Sequence, residues 1–280
     1  MPHRVGVVIP TFNSGALLLE SVEAVLGQSE AVDLVIVDDC STDPRSLSVL
    51  DQLSADGLRV IRHTENTGLG PARNSGIAVL SNPYVVSVDA DDVAHPRYAQ
   101  EAADVLDSDN AVRIVTTALQ KFGNSSDLYV PEGAPRGVVD LLFYSTIPGI
   151  SMLRRQDWET VGGYRSLAWA EDYDFWVRVL GATGGKCVVL PDTRYRYRIH
   201  DGQSTERLAV GDKVSAQVEM VRGNPEPWLD HIDVVMDRLW RNQAELDYYR
   251  SRYGKINYAK NVVVNRARDA RGRLRAAIGR

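Results

Sequence analysis

The first hundred residues alternate between short apolar runs rich in β-branched residues and longer stretches with helical spacing. The apolar runs are Arg4–Ile9, Leu34–Val37, Leu58–Ile61 and Tyr84–Val88. The stretches with helical spacing are Ala16–Leu26, Ser46–Leu53 and Ala72–Leu80. This alternation predicts an α/β fold in which helices cover both faces of a mainly parallel sheet. Because such sheets bind ligands beyond the carboxyl ends of their strands, the loops after these runs are the expected place for a site.

The composition is that of an ordinary soluble domain, with 44% hydrophobic and 25% charged residues. The two cysteines, Cys40 and Cys187, are not arranged as CxxC, so we expect neither a disulfide framework nor a cysteine zinc site. The apolar run before Pro10 is too short for a signal sequence, and no run is long enough to span a bilayer. We therefore expect a cytoplasmic protein.

The charge balance separates an acidic body from a basic tail. Residues 1–205 hold 17 Lys and Arg against 27 Asp and Glu, whereas residues 206–280 hold 15 against 10. The body carries no basic footprint of the kind that indicates nucleic-acid binding, so no nucleic-acid partner is expected. The sequence predicts one domain over 1–205 and a helical extension over 206–280.

The extension has the pattern of a long amphipathic helix or a pair of helices. Heptad core positions are occupied by Leu229, Ile232, Met236, Leu239, Leu246 and Tyr253. This face predicts either packing against the body or a homodimer through the C-terminal helix. The basic end, Arg266–Arg280, holds six arginines and one acid. It is either a solvated surface or a peripheral contact with anionic lipid at the inner face of the membrane.

Three carboxylates gather directly after the fourth apolar run, in the stretch SVDADDV. Asp89, Asp91 and Asp92 suit a hard divalent cation, since Mg²⁺ or Mn²⁺ typically takes one or two carboxylates together with substrate phosphates. The alternative is a solvated turn that starts the next helix before Pro96.

Two other strand ends carry chemistry of their own. Asp38 and Asp39 could accept a hydrogen bond from uracil N3–H or from the amino group of another base; alternatively they form a turn and a helix cap before Pro44. The stretch Asn66–Asn74 resembles a loop that binds phosphate at a helix N-terminus. Arg73 replaces the third glycine of G-x-G-x-x-G, which excludes a dinucleotide fingerprint, but it could help to hold a diphosphate.

A further acidic pair, Glu171 and Asp172, lies far along the chain. One of these carboxylates could act as a general base if the fold brings it to the same cleft. The alternative is an acidic helix N-terminus, which the helix dipole stabilises without any catalytic role.

Six short motifs occur in the order and spacing of a known enzyme family. They are Val8–Asn13, Val37–Asp39, Asn66–Asn74, Asp89–Asp92, Gly162–Tyr164 and Glu171–Asp172. Together they resemble the family 2 glycosyltransferases over residues 4–201. The resemblance implies the GT-A fold, with a Rossmann-like mixed and mainly parallel sheet. It also implies inverting transfer of a sugar from a nucleotide-diphosphate sugar, with UDP favoured, to a glycan or lipid-linked acceptor in cell-surface polysaccharide or glycoconjugate synthesis.

The resemblance also assigns roles to residues. Asp91 would bind Mg²⁺ or Mn²⁺ directly, with Asp89 as its partner. Asp172 would be the catalytic base, with Glu171 beside it. His200, in the segment YRIH, would approach the metal or the diphosphate, or else merely cap or pack. The donor-binding residues would be Pro10, Thr11, Asn13, Asp38, Asp39, Arg73 and Asp89.

One departure from the family pattern and two rival functions remain. Cys40 stands where many members have glycine, which leaves the donor base open. A sugar nucleotidyltransferase also uses carboxylates and Mg²⁺, but the loop Pro10–Gly15 lacks the basic residues that such enzymes carry after the first strand. A non-catalytic scaffold that binds nucleotide-sugars would be expected to lose its acidic motifs, and both are present here.

Overall fold

The computed structural model describes residues 3–131, 136–167, 169–200 and 210–248. Its strands are β1 (Val5–Thr11), β2 (Val32–Asp38), β3 (Arg59–Arg62), β4 (Tyr84–Ser87), β5 (Val112–Gly123), β6 (Leu128–Tyr129), β7 (Met152–Arg154) and β8 (Lys186–Ile199). The helices are α1 (Leu17–Leu26), α2 (Pro44–Ala55), α3 (Leu69–Ala78), α4 (Tyr98–Ser108), α5 (Val138–Leu141), α6 (Arg155–Thr160), α7 (Glu171–Thr183), α8 (Val210–Gly223) and α9 (Glu226–Leu229).

The strands form one sheet in the order β3-β2-β1-β4-β7-β5-β6, with β8 beside β5. β3, β2, β1 and β4 all run parallel, whereas β7 pairs antiparallel with both β4 and β5. The sheet is therefore mixed and mainly parallel, which confirms the predicted fold class. Because the first four strands are parallel, their last residues, Thr11, Asp38, Arg62 and Ser87, lie at the same edge.

Helices bury apolar side chains on both faces of the sheet. On one face α1, α2 and α4 contribute Leu18, Val22, Leu50, Leu53 and Leu106. On the other face α3 and α7 contribute Ala72, Ile77, Phe175, Trp176 and Val179. The strands between them are buried on both sides, which explains why they appear in the sequence as continuous apolar runs and not as alternating ones.

Residues 1–230 form one compact unit and residues 231–280 a second. Within the first unit, α8 and α9 are packed into the body: Met220 is buried, and the indole Nε1–H of Trp228 donates to the Leu142 carbonyl at 3.0 Å. The compact unit thus extends beyond the division predicted after residue 205. The predicted division into a 1–205 domain and a 206–280 extension itself stays a prediction.

The described part of the second unit is a helix over 232–248. Its exposed apolar side chains include Ile232, Met236, Leu239, Trp240 and Leu246. The homodimer through this helix stays a prediction. Tyr253 and the basic end lie outside the described residues, and so does any contact they make with lipid. Among the described helices, none is both long and apolar enough to cross a membrane.

Candidate active site

Asn13 joins the loops that follow β1 and β2. Its backbone φ is +55°, in the left-handed region that asparagine tolerates better than most residues. Its side-chain Oδ1 accepts hydrogen bonds from the backbone N–H groups of Thr42 and Asp43 at 2.8 and 2.9 Å. Its own N–H donates to Ser41 Oγ at 2.9 Å. Asn13, predicted to bind the donor, thus holds the loop after β1 against the loop after β2.

The end of β1 lies directly beside the acidic end of β2. Pro10 and Thr11 pair with Val37 and Asp38 in the parallel register. Asp38 is buried, and its Oδ1 accepts from the backbone N–H of Ser41 at 2.9 Å, which is the turn that sequence analysis gave as the alternative to base contact. Asp38 is therefore occupied in shaping the loop.

Cys40 has a φ of +66°, a left-handed conformation that costs a residue with a Cβ about 1–2 kcal/mol. That conformation is the physical reason why glycine suits this position. The cysteine fits the loop with strain in the backbone, and it stays half-buried.

Asp39 holds the loop that opens α3. Its Oδ1 accepts from the Thr67 backbone N–H at 3.0 Å, from the Thr67 hydroxyl at 2.9 Å and from His63 Nδ1 at 2.7 Å. Its Oδ2 accepts from the Gly68 N–H at 2.7 Å. These hydrogen bonds lower the pKa of the Asp39 carboxyl against the opposing effect of burial. Since a carboxylate has about four acceptor sites, Oδ2 keeps one.

Sequence reasoning missed His63, and it included Thr67 only as part of the stretch Asn66–Asn74. His63 also bonds through Nε2 to Ser75 Oγ on α3, at 2.9 Å. A histidine placed after an edge strand carried no signal of this role, because its partners come from three different segments.

Arg73 is buried and connects both acidic motifs. Its Nη1–H donates to Glu171 Oε1 at 2.8 Å, and its Nη2–H reaches Asp89 Oδ1 at 3.4 Å. Its Nε–H donates to Ser87 Oγ at 3.2 Å, at the end of β4. Only 2% of the side chain is exposed, so the guanidinium is committed to protein groups. The structure thus brings together residues 73, 89 and 171, which sequence analysis could only place in separate motifs.

Asp172 lies in the first turn of α7, next to this cation. The helix starts after Ala170, whose φ of +62° is unusual for a residue other than glycine. The Tyr173 N–H donates to Asp172 Oδ1 at 2.7 Å. Burial and the adjacent Glu171 carboxylate raise the pKa of Asp172 to about 7, against the opposing charge of Arg73. A carboxyl with a pKa near neutrality is suited to accepting a proton.

Gly149 lies directly against Asp172 and Arg73. A Cβ at this position would be 3.1 Å from Asp172 Oδ2 and 3.3 Å from Arg73 Nη2. The segment before β7 therefore lines the carboxylate, and the missing side chain leaves room for it. Sequence reasoning missed Gly149, because the region between 118 and 170 contains no motif that identifies it.

The glycine turn before α7 is fixed by Asn74. Asn74 Oδ1 accepts from the Tyr164 backbone N–H and from Trp158 Nε1–H, at 2.8 and 2.9 Å. Gly163 has a φ of +76°, and a Cβ there would lie 2.5 Å from Asn74 Oδ1. The turn places the Tyr164 ring against Phe175, with ring centroids 3.9 Å apart, and under the Arg73 guanidinium.

Asp91 and His200 form a half-exposed pair at the other acidic motif. His200 Nε2 lies 2.9 Å from Asp91 Oδ2. Arg198, two residues earlier on β8, donates from Nε to the Asp91 carbonyl at 2.7 Å. The structure thus brings the C-terminal end of β8 to the loop Asp89–Asp92, called the DxD loop after Asp89 and Asp91.

Asp92 differs from the solvated helix cap that the sequence suggested. It is fully buried, and its Oδ1 accepts from the Arg198 N–H at 2.7 Å. Burial, with the charge of Asp89 adding to it, raises the pKa of Asp92 to about 9, so this carboxyl is neutral at pH 7. Two features therefore reduce the repulsion among the three acids of SVDADDV. The raised pKa of Asp92 favours its neutral form, and Asp89 faces the Arg73 guanidinium.

The donor set at Asp91 fits a divalent cation that is shared with a substrate. Among the described residues, no three His, Cys, Asp or Glu side chains converge to hold a metal by themselves. Asp91 and His200 offer one carboxylate and one imidazole, both partly exposed. Mg²⁺ and Mn²⁺ accept such an incomplete set, because water and substrate phosphates complete their coordination.

Comparison with known proteins gives the family. The profile of "Glycosyl transferase family 2" matches residues 6–174, which include every acidic motif described above. The chain belongs to glycosyl transferase family 2. The family resemblance inferred from the six motifs is thereby confirmed.

Two curated relatives of this family 2 chain come from Rhizobium meliloti (strain 1021). Succinoglycan biosynthesis protein ExoO is 27% identical over 228 residues, which cover 75% of this chain and 65% of ExoO. Succinoglycan biosynthesis protein ExoU is 29% identical over 217 residues, which cover 69% of this chain and 61% of ExoU. The chain thus spans less than two thirds of the length of either relative.

Two solved structures share the fold. S. aureus TarS 1–349 in complex with UDP-GlcNAc matches with a TM-score of 0.63 and 20% identity, over 74% of this chain and 62% of TarS. Mannosyltransferase PcManGT from Pyrobaculum calidifontis, in complex with GDP-Man and Mn²⁺, matches with a TM-score of 0.62 and 18% identity, over 84% of this chain and 69% of PcManGT. At these identities the likeness extends to the fold.

Proposed function

We propose that this chain is an inverting glycosyltransferase that moves a sugar from a UDP-sugar to an acceptor hydroxyl with the help of Mg²⁺ or Mn²⁺. The observation that carries the proposal is the position of Arg73. One buried guanidinium contacts Asp89 of the donor-side motif and Glu171 of the base-side motif. A single cleft therefore contains both the groups that would hold a diphosphate and the group that would take a proton.

The acceptor side of the reaction belongs to Asp172. Its carboxylate takes the proton from the acceptor hydroxyl while that oxygen attacks the anomeric carbon, and the bond to the diphosphate oxygen breaks on the opposite side. In-line attack inverts the anomeric centre. Asp172 is suited to this because its pKa of about 7 leaves a large ionised fraction at neutral pH while keeping it basic enough to accept a proton.

The leaving-group side belongs to Asp91, Asp89 and His200. Asp91 and His200 would hold the cation, and Asp89 is oriented beside them by Arg73. The cation supplies Lewis-acid neutralisation of the departing diphosphate. PcManGT was solved with Mn²⁺, which supports metal use in this fold. Arg73 acts as a positioning residue in this proposal, because its donors are used by protein carboxylates.

The hydrogen bonds at Asp39 support UDP over GDP. Guanine offers two adjacent N–H donors to a carboxylate, whereas uracil offers one imide N–H. With Oδ1 occupied by His63 and Thr67, Asp39 has one acceptor position left, on Oδ2. Pro10, Thr11 and Asn13 form the adjoining wall of the proposed donor site. TarS was solved with UDP-GlcNAc, which agrees with this preference.

The acceptor is proposed to be a growing polysaccharide or glycoconjugate. Two relatives, ExoO and ExoU, are named for succinoglycan biosynthesis, which supports this class. Peripheral attachment to the membrane through the basic end and a homodimer through the C-terminal helix remain further proposals about how the enzyme would reach such an acceptor.

The proposal is tested by a thermal-shift screen of nucleotide-sugars with Mn²⁺, followed by analysis of the products released from the best ligand. We expect UDP-sugars to stabilise the protein more than GDP-sugars, and slow turnover with water to release UDP. A sugar nucleotidyltransferase would instead release pyrophosphate when given UTP and a sugar phosphate. Stabilisation without any turnover of the donor, in water or with cell-envelope glycans, would point to the non-catalytic scaffold.

A further inference from the structure

A row of cationic side chains leads away from the proposed transfer site along β8. Arg194, Arg196, Arg198 and His200 alternate with Tyr195, Tyr197 and Ile199. Because successive residues of a strand point to opposite faces, the four basic side chains share one face. Tyr195 on the other face is fully buried, which fixes the direction of the row. The row ends at Asp91 through the contact with His200.

The two arginines farthest from Asp91 are exposed. Arg194 and Arg196 form no ion pair with any acid in the described part of the chain. Arg198, by contrast, pairs with Glu20, and His200 with Asp91. Within the described residues, the row therefore offers two charges without an ion-pair partner, which continue outward from the pair next to the loop Asp89–Asp92.

The row is partly rigid. The guanidinium carbons of Arg196 and Arg198 lie 4.4 and 4.3 Å from the ring centroid of Phe122. Phe122 is on β5 and pairs with Arg198 on β8. Such cation–π contacts hold the side chains without using their N–H donors. Gln120 on β5 pairs with Leu128 on β6 and with Arg196 on β8. A surface with polar and apolar side chains therefore adjoins the arginines. The Cα atoms of Arg194 and Arg196 are about 7 Å apart, since the two residues are two positions apart on a strand.

We propose that this row, Arg194–Arg196–Arg198–His200, is the surface along which an acidic glycan acceptor binds, its carboxylate or phosphate groups contacting Arg194 and Arg196. The inference rests on the proposed function, since it places the acceptor next to the transfer site. Charge complementarity and continuity with Asp91 carry it. A ligand with charges repeated along its length could contact successive arginines while its end reaches the cleft.

Two other anionic partners fit the row less well. Single-stranded nucleic acid is held by bases stacked on free aromatic rings, but Phe122 is already occupied by two guanidinium groups. Segments that bind anionic membranes electrostatically carry about four to eight basic residues, whereas in the described part of the chain this row has two without an ion-pair partner, both on a strand.

The test compares the full-length chain with the double variant Arg194→Gln/Arg196→Gln. A matched control, Arg222→Gln/Arg238→Gln, removes the same charge from exposed positions elsewhere. Binding is measured by calorimetry with polygalacturonate and inorganic polyphosphate as acidic chains, and with dextran as the neutral one. The basic end is common to all three proteins, so their difference isolates the row. UDP binding with Mn²⁺ is measured in parallel.

We expect the Arg194/Arg196 variant to bind at least one acidic chain about tenfold more weakly than the control variant, with a shallower dependence on salt. Its UDP affinity should be unchanged, which separates this inference from the proposed donor chemistry. Equal binding of acidic chains by the two variants, or no binding by the unchanged protein, would overturn it. Loss of sedimentation with phosphatidylglycerol vesicles, with binding of both acidic chains intact, would assign the row to a membrane instead.

Discussion

Replacing Asp172 with asparagine should lower turnover by about 10²–10⁴-fold and leave UDP binding within about twofold of the unchanged protein. The amide is nearly the same size as the carboxyl but cannot take a proton from the acceptor. The Asp172 carboxyl is also not among the groups proposed to hold the diphosphate, so donor affinity should depend on it little. The measurement is the rate of UDP release beside a calorimetric titration with UDP.

The pH profile adds a second, independent check on Asp172. A general base works only when it is ionised, and burial raises the pKa of Asp172 to about 7. The kcat/KM value should therefore fall about tenfold per pH unit below pH 7 and level off above it. Asp56→Asn, the same change at an exposed carboxylate, is the control and should leave rate and profile unaltered. Normal turnover by Asp172→Asn would remove this residue from the role of base.

Replacing Arg73 with glutamine should damage both stability and catalysis. Without the buried cation, the Glu171 and Asp89 carboxylates face each other's charge, and the free energy of unfolding should fall by about 3 kcal/mol, the lower end for breaking a buried pair whose acids are partly exposed. The charge of Arg73 also lowers the pKa of Asp172. Loss of that charge should therefore raise the pH below which kcat/KM falls. Urea unfolding and the pH dependence of kcat/KM measure the two effects.

A structurally matched arginine tests whether the effect on catalysis is specific. Arg178 is also buried and donates to Asp174 on the same helix, α7, at 2.8 Å. Arg178→Gln should lose a similar amount of stability without changing the pH below which kcat/KM falls. If Arg73→Gln instead weakens UDP binding and leaves the pH dependence of kcat/KM unchanged, Arg73 contacts the nucleotide directly, as the family resemblance first implied.

The fold was predictable from the sequence because its central strands are buried on both sides. Runs such as Arg4–Ile9 and Tyr84–Val88 stand out from the helical stretches between them, and their order defines a parallel sheet. The last two helices of the compact unit were harder to place. Only contacts in the structure place α8 and α9 against the body: Met220 of α8 is buried, and Trp228 of α9 donates to the Leu142 carbonyl.

The site was predictable as a set of motifs but not as a set of contacts. Two acidic motifs, one after β4 and one at the start of α7, made Asp91 and Asp172 candidates, although each motif also had a structural explanation as the start of a helix. Nothing in the sequence showed that Arg73 connects the two motifs, since its partners Asp89 and Glu171 are 16 and 98 residues away. Asp92 was misjudged for the same reason. Its burial depends on β8, whose distance along the chain hides the contact.

The proposed donor site is most directly tested by calorimetric titration of UDP into the unchanged protein and into Asp91→Ala, each with Mn²⁺ and with chelator. The account predicts that Mn²⁺ strengthens UDP binding to the unchanged protein about tenfold or more, and that Asp91→Ala loses this gain while keeping the weak binding measured with chelator. Equal UDP affinity with and without Mn²⁺, or an undiminished effect of Mn²⁺ in Asp91→Ala, would contradict a metal-dependent transfer site at Asp91.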